Sequence, residues 1–208
     1  MLCVGLTGGI GAGKTTIARL FEKKGIFIVE ADPIVHKLLL PKSIIWEQIV
    51  SQWGPSILIP EENKINREKL AEIVFNEDNS LKWLLDILYP TLKQEVNKEK
   101  TRASNMGALI FLFEASQILE AGWNAMFDVI VLVKTRFDLR QKRLLNNGRL
   151  DSNQIRIRMR FQWPDWVKMR YADFWIDNSG PLCKTMDVVY RIYDQLVEFS
   201  KEEYSNKY

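Results

Sequence analysis

Residues 5–16 read GLTGGIGAGKTT and contain the spacing G-x-x-x-x-G-K-T from Gly8 to Thr15. Glycines there let successive backbone N–H groups turn inward without a Cβ clash, and a helix starting near Gly13 adds its positive dipole end. Lys14 supplies an ammonium that reaches β- and γ-phosphates, and the Thr15 hydroxyl suits a Mg²⁺ ligand. The expected ligand is a nucleoside triphosphate with Mg²⁺, held by Gly9, Gly11, Ala12, Gly13, Lys14, Thr15 and Thr16. A glycine-rich turn that matched by chance would lack the strand before and the helix after that this motif needs. The pattern carries both.

Two acids could act on that triphosphate. Asp32 closes the run IFIVEAD, where a small kinase places its acceptor. A carboxylate there orients the acceptor hydroxyl and takes its proton as the new bond forms. It is equally suited to cap a helix, since Pro33 follows at the favoured first helical position, and the two roles are compatible. Glu114 closes ALIFLFE. It either holds Mg²⁺ through water or caps the next helix. The tetrad DNSG at 177–180 matches D-x-x-G, but no N-K-x-D follows, so a strand end and a turn are expected rather than a GTPase switch.

The elements that would position these groups follow from periodicity. Leu2–Thr7 reads as a buried strand, 13–24 as a helix closed by Gly25, and 26–32 as a second strand. Residues 33–105 are polar and helix-favouring, with apolar faces formed by Leu70, Ile73, Val74 and Phe75 and by Trp83, Leu84, Ile87 and Leu88. Strands return at 108–116 and 128–134, joined by a short helix containing Ile118, Leu119 and Trp123. A last strand at 174–178 precedes a helix whose stripe is Met186, Val189, Ile192, Tyr193, Leu196 and Val197. Short apolar strands alternating with helices imply an α/β fold with a parallel sheet covered on both faces. Ligands of such sheets bind beyond the C-terminal strand ends, where Glu30, Asp32, Glu114 and Asp177 all fall.

Composition narrows the class. A 208-residue chain supports one substantial core with a small appended unit. A net charge of +3 is too small to imply a nucleic-acid surface. The longest apolar runs are well under the length of a membrane span, and the glycines arrive too early for a signal peptide. Cys3 and Cys183 lack metal-ligand spacing and read as reduced, buried thiols of a cytoplasmic protein.

The stretch 136–171 is conspicuously cationic, carrying Arg140, Arg143, Arg149, Arg156, Arg158 and Arg160. Arginines brought in by a closing lid stabilise the charge of a transferring phosphoryl group. Two or three are expected to do so, Arg143 first and Arg149 second, with the rest on a solvated surface. Trp123, Trp163, Trp166 and Trp175 are expected in core or domain packing. His36, the single histidine, excludes a histidine-based triad or metal site and is expected on a helix surface.

Nearly the whole chain resembles the dephospho-CoA kinase family. LTGGIGAGKTT matches the family's opening, and EADPIVHKLL (30–39) is similar to its D-A-D-x-x-x-H/R segment, which puts Asp32 on the catalytic aspartate. INREKLAEIVF (65–75) resembles the acceptor-side segment, and ILEAGWNAMFDVIVLV (118–133) resembles L-F-E-T-G-L-x-x-x-F-D-x-V-I-V-V. R-x-R-F-Q-W-P-x-x-x-K followed by ADFWIDNSG (158–180) matches the family's most selective pair of motifs. Four positions depart: Glu30 for an aspartate, Tyr89 for a histidine, SQILE (116–120) for P-L-L-F-E, and Asn147 for a lid arginine that Arg149 replaces if the loop shifts register.

The resemblance implies a P-loop kinase core at 1–34 and 106–208 with a short lid at about 140–166. It also implies a helical acceptor-binding insertion at 35–105. ATP and Mg²⁺ are the implied cofactors, and dephospho-CoA is the implied acceptor, phosphorylated on its ribose 3′-hydroxyl. The implied catalytic residues are Lys14, Asp32, Arg143 and Arg149, with Asn178 at the nucleotide and Thr15 and Glu114 at the metal. No nucleic-acid or membrane partner is expected. The rival readings are another P-loop small-molecule or nucleotide kinase, and a nucleotide-binding protein with weakened catalysis.

Overall fold

All six residues of β1 (Leu2–Thr7) are buried, as a strand covered by helices on both faces must be. In this computed structural model, which describes residues 1–148 and 151–205, β1 is the middle of a five-stranded sheet. With β2 (Phe27–Glu30), β3 (Ile110–Glu114), β4 (Val129–Lys134) and β5 (Phe174–Asp177), the order is β2-β3-β1-β4-β5. Every neighbouring pair is parallel. The register sets Glu30 opposite Glu114, Leu6 beside Glu114, and Lys134 opposite Asp177. Strand ends therefore collect the acids along one edge of the sheet.

The chain divides into two compact units, Met1–Glu30 with Glu99–Tyr208, and Ala31–Lys98. The first contains the sheet. Its helix α1 (Lys14–Glu22) follows the glycine loop and buries Ile17, Ala18, Leu20 and Phe21 against the sheet.

The second unit is helical. α2 (Ala31–Leu38), α3 (Ile44–Trp53) and α4 (Arg67–Asn76) lie within it, while α5 (Asp78–Asn105) starts in it and runs on into the first unit. The insertion expected from sequence, 35–105, ends where α5 ends; the compact unit ends inside that helix. Ser43 caps α3 by accepting from the Trp46 N–H at 3.0 Å, and Asn66 caps α4 by accepting from Glu68 and Lys69. Ile45, Ile49, Ile57, Ile65, Leu70, Val74 and Leu88 form this unit's core, and Trp53 meets Trp83 edge-to-face.

After the sheet's middle strands come α6 (Phe137–Asn146), α7 (Ser152–Arg160) and the single turn α8 (Asp165–Lys168). Asp151 and Gln154 close a capping box at the start of α7. The last helix, α9 (Leu182–Ser205), lays Val189, Ile192 and Leu196 on the sheet with Met186, Tyr193 and Val197 packed beside them, the stripe its periodicity dictates.

Four expectations need correction. Cys3 is buried as expected, but Cys183, in the first turn of α9, is exposed. The second strand stops at Glu30, and Ala31 and Asp32 open α2, because an acid and a proline both suit a first helical turn. The link between β3 and β4 is not a helix. Its turns end at Gly122, whose φ is +67°, and a 3₁₀ turn follows at Asn124–Met126. Trp123 is buried, but Trp163, Trp166 and Trp175 are 38%, 62% and 50% exposed. Trp163 rests on Tyr171, Trp166 lies under the Arg170 guanidinium, and Trp175 stands on the edge strand.

Candidate active site

The loop from Gly8 to Gly13 leaves β1 and enters α1 at its N-terminus. Gly13 is the N-cap with φ +93°, a left-handed conformation open to glycine. A Cβ there would also strike the Asn178 side-chain amide. A Cβ on Gly9 would strike the Arg140 guanidinium. The glycines therefore serve two needs at once, turning the chain and admitting side chains against its backbone.

Ala12 ties the loop to the sheet. Its N–H donates to the Gly9 carbonyl at 3.1 Å. Its own carbonyl accepts from the Thr135 hydroxyl and from Asn178 Nδ2, both at 2.9 Å. Asn178 is buried, and its Oδ1 accepts from Thr185 at 3.3 Å. Arg143 donates to the Asn178 carbonyl at 2.8 Å, which brings it to the same side of the loop as Gly13.

Lys14 and Thr15 open α1 and meet Glu114 at the end of β3. Lys14 Nζ lies 3.7 Å from Glu114 Oε1, with both side chains about nine-tenths buried. The Thr15 hydroxyl donates to Glu114 Oε2 at 3.3 Å. The segment after Glu114 runs into turns, so this carboxylate has no helix to cap. A hydroxyl and a carboxylate side by side form the sparse oxygen set that Mg²⁺ accepts, since it keeps several waters and takes further oxygens from phosphate. No cluster of three histidine, cysteine or acidic side chains exists among the described residues, so nothing competes as a dedicated metal cage. Thr15 and Thr16 are exposed at the loop's mouth.

Asp32 lies in the first turn of α2, two positions past the last residue of β2, and is exposed. His36, one turn later, is exposed as expected for a helix surface. Partial burial lowers its pKa below 6.5, the Arg67 guanidinium pushes the same way, and Asp32 opposes both. Asp177 ends β5, where Ser179 bonds hold its carboxyl below the usual range with help from Lys134 at 3.5 Å. DNSG is thus a strand end and a turn. Arg149 lies outside the described residues.

Three residues that brace the loop carry no such role in the sequence reading. Arg140 is one of the arginines expected on a solvated face, yet it is 9% exposed. Its Nε donates to the Ile10 carbonyl at 2.9 Å and its Nη1 lies 3.5 Å from Asp165. Burial lowers its pKa below the usual arginine range, and Asp165 opposes the shift. Gln162 accepts from the Ile10 N–H at 2.8 Å. Lys168, fully buried, pairs with Glu120 at 2.8 Å and donates to the Ser116 carbonyl at 2.8 Å. Burial lowers its pKa against the pull of Glu120. Gln162 and Lys168 stand in the Q-W-P-x-x-x-K motif, whose spacing was the available signal. Nothing in the sequence separates Arg140 from its neighbours.

Comparison with known proteins follows the same line. A family model described as dephospho-CoA kinase matches residues 2–184. The dephospho-CoA kinase of Aquifex aeolicus is 33% identical over 193 residues, covering 93% of this chain and 96% of that one. Among solved structures, a Thermus thermophilus protein superposes with a TM-score of 0.77 at 23% identity, over 92% of this chain and 95% of its own. The dephospho-CoA kinase from Campylobacter jejuni gives 0.68 at 23% identity, over 94% and 97%. At those identities the structural matches establish the fold alone.

Proposed function

Because the chain belongs to the dephospho-CoA kinase family, we propose that it transfers the γ-phosphoryl group of ATP to the ribose 3′-hydroxyl of dephospho-CoA. The products are coenzyme A and ADP. The observation that carries this reading is the extent of the family match, residues 2–184, which runs through the phosphate loop, the whole second unit and the segments holding Gln162, Lys168 and Asn178.

The loop holds the triphosphate through the N–H groups of Gly9, Gly11, Gly13, Lys14, Thr15 and Thr16, with the α1 dipole favouring its charge. Ala12 supports that cradle through its own peptide bonds to Gly9, Thr135 and Asn178. Lys14 leaves Glu114 for the β- and γ-phosphate oxygens. Thr15 and, through water, Glu114 would hold Mg²⁺, which would supply charge neutralisation to the triphosphate. Arg143, already fixed by the Asn178 carbonyl, takes up charge on the equatorial oxygens, and Arg149 is assigned the same task.

Asp32 orients the acceptor hydroxyl. As the O3′–Pγ bond forms and the bond from Pγ to the β–γ bridging oxygen breaks, the hydroxyl proton passes to its carboxylate. The helical insertion, residues 35–105, is assigned the acceptor. The reaction belongs in the cytoplasm, a reducing compartment suited to the free thiols Cys3 and Cys183. No helix among the described residues is long and apolar enough to cross a membrane.

Asp32→Asn tests the assignment. It should lower turnover by roughly 10²- to 10⁴-fold while ATP affinity stays near wild type. Unchanged turnover would remove the role given to Asp32.

A further inference from the structure

Ile10 sits at the bend of the phosphate loop, and both of its peptide groups are bound by side chains from far along the chain. Its N–H donates to Gln162 Oε1 at 2.8 Å, and its carbonyl accepts from Arg140 Nε at 2.9 Å. We infer that Gln162 and Arg140 are positioning residues that set ATP affinity by clamping the Ile10 peptide, an inference that rests on reading this loop as the ATP site.

The clamp is anchored at several points. Asp165 lies 3.5 Å from Arg140 Nη1 and starts the turn that ends in Lys168. Glu120 Oε1 accepts from the Trp163 N–H at 2.8 Å, which pins the residue next to Gln162, and the same oxygen pairs with Lys168 at 2.8 Å. Lys168 then reaches the Ser116 carbonyl at 2.8 Å, which also accepts from the Thr7 hydroxyl at 3.2 Å. Thr7 is the last residue of β1, just before the loop. The path is a closed circuit, from the strand that launches the loop, through Ser116, Lys168, Glu120 and Trp163, to Gln162 and the bend.

Such a circuit matters because the loop is intrinsically permissive. Gly11 and Gly13 carry positive φ and Gly9 carries no side chain, so an unbraced loop samples many conformers. Each backbone residue ordered at binding loses conformational entropy, which weakens binding. A loop already fixed at Ile10 avoids part of that cost, and the effect appears in affinity rather than in the chemical step. Gln162 suits the task as a neutral acceptor. A carboxylate would accept the same N–H but repel a triphosphate.

The test compares wild type, Gln162→Met, which keeps the length and loses the acceptor, and Gln162→Asn, which keeps the amide one methylene short. ATP dissociation constants are measured by calorimetry, KM is measured for ATP and for dephospho-CoA, and melting temperatures are recorded without ligand. Lys14→Ala serves as the control for the site itself. Expected in both Gln162 variants is an ATP Kd and KM raised about fivefold to tenfold, with KM for dephospho-CoA unchanged. Wild-type ATP affinity in both variants, whatever their melting temperatures, overturns the clamp while Lys14→Ala still loses ATP. If wild type and Lys14→Ala bind ATP alike, the reading of the loop falls first and the clamp with it.

Discussion

Asn178, just past the end of β5, donates its side-chain amide to the Ala12 carbonyl inside the phosphate loop, 166 positions away in the chain, at 2.9 Å. The two residues come together because β4 separates β5 from β1 in a parallel sheet, so their strand ends share one edge. The same amide occupies the space beside Gly13.

That arrangement makes Gly13→Ala doubly costly. The new Cβ meets the Asn178 amide, and an L-residue at φ +93° is strained by about 1–2 kcal/mol on its own. Gly25→Ala is the control: its φ is +88°, but nothing lies within 4 Å of the added atom. Thermal melts with and without ATP should show a modest loss for Gly25→Ala with ATP stabilisation retained. Gly13→Ala should melt lower still and gain nothing from ATP. Equal behaviour would mean the Asn178 contact is soft.

The Lys168–Glu120 pair is buried on both sides, with side-chain exposures of 0% and 10%. Lys168→Met should therefore destabilise the chain by about 3–5 kcal/mol in urea titrations, since it leaves a buried carboxylate without its cation. Glu120→Gln keeps an oxygen for the Trp163 N–H. Adding it to Lys168→Met should recover a large part of the loss, a strongly non-additive cycle. Simple additivity would contradict the pairing.

His36 gives a clean pH probe, because it is the single histidine of the chain. Its pKa lies below 6.5, so the unfolded chain binds the proton more readily than the folded one. The histidine's contribution to stability is complete above pH 6.5 and is lost as pH falls through the window just below it. Proton NMR of the imidazole should show one resonance titrating below 6.5. Arg67→Gln should raise that midpoint and Asp32→Asn should lower it. Movement in the opposite directions would show that these charges do not face His36.

Local features of the first unit were legible without coordinates. The glycine loop, the buried runs of β1 and β4, and the apolar stripe of α9 each follow from contiguous residues whose spacing encodes their environment. The loop's supports were not, because each depends on a partner found only after folding. Arg140 and Gln162 reach Ile10 across 130 and 152 positions, and an arginine on a cationic helix carries no local mark of such a partner. The tryptophans misled for a related reason. Apolar neighbours in sequence gave no sign that Trp175 lies on an edge strand or that Arg170 lies against Trp166. At 118–126 the apolar residues suggested a helix, but Gly122 and a 3₁₀ turn break the run before a second turn can form.

The most direct test is an acceptor panel in which ADP release from ATP and Mg²⁺ is followed with dephospho-CoA, nucleoside monophosphates and no acceptor. ADP release that requires dephospho-CoA, with coenzyme A as the second product, is the expected result. Equal turnover with nucleoside monophosphates and none with dephospho-CoA would contradict it.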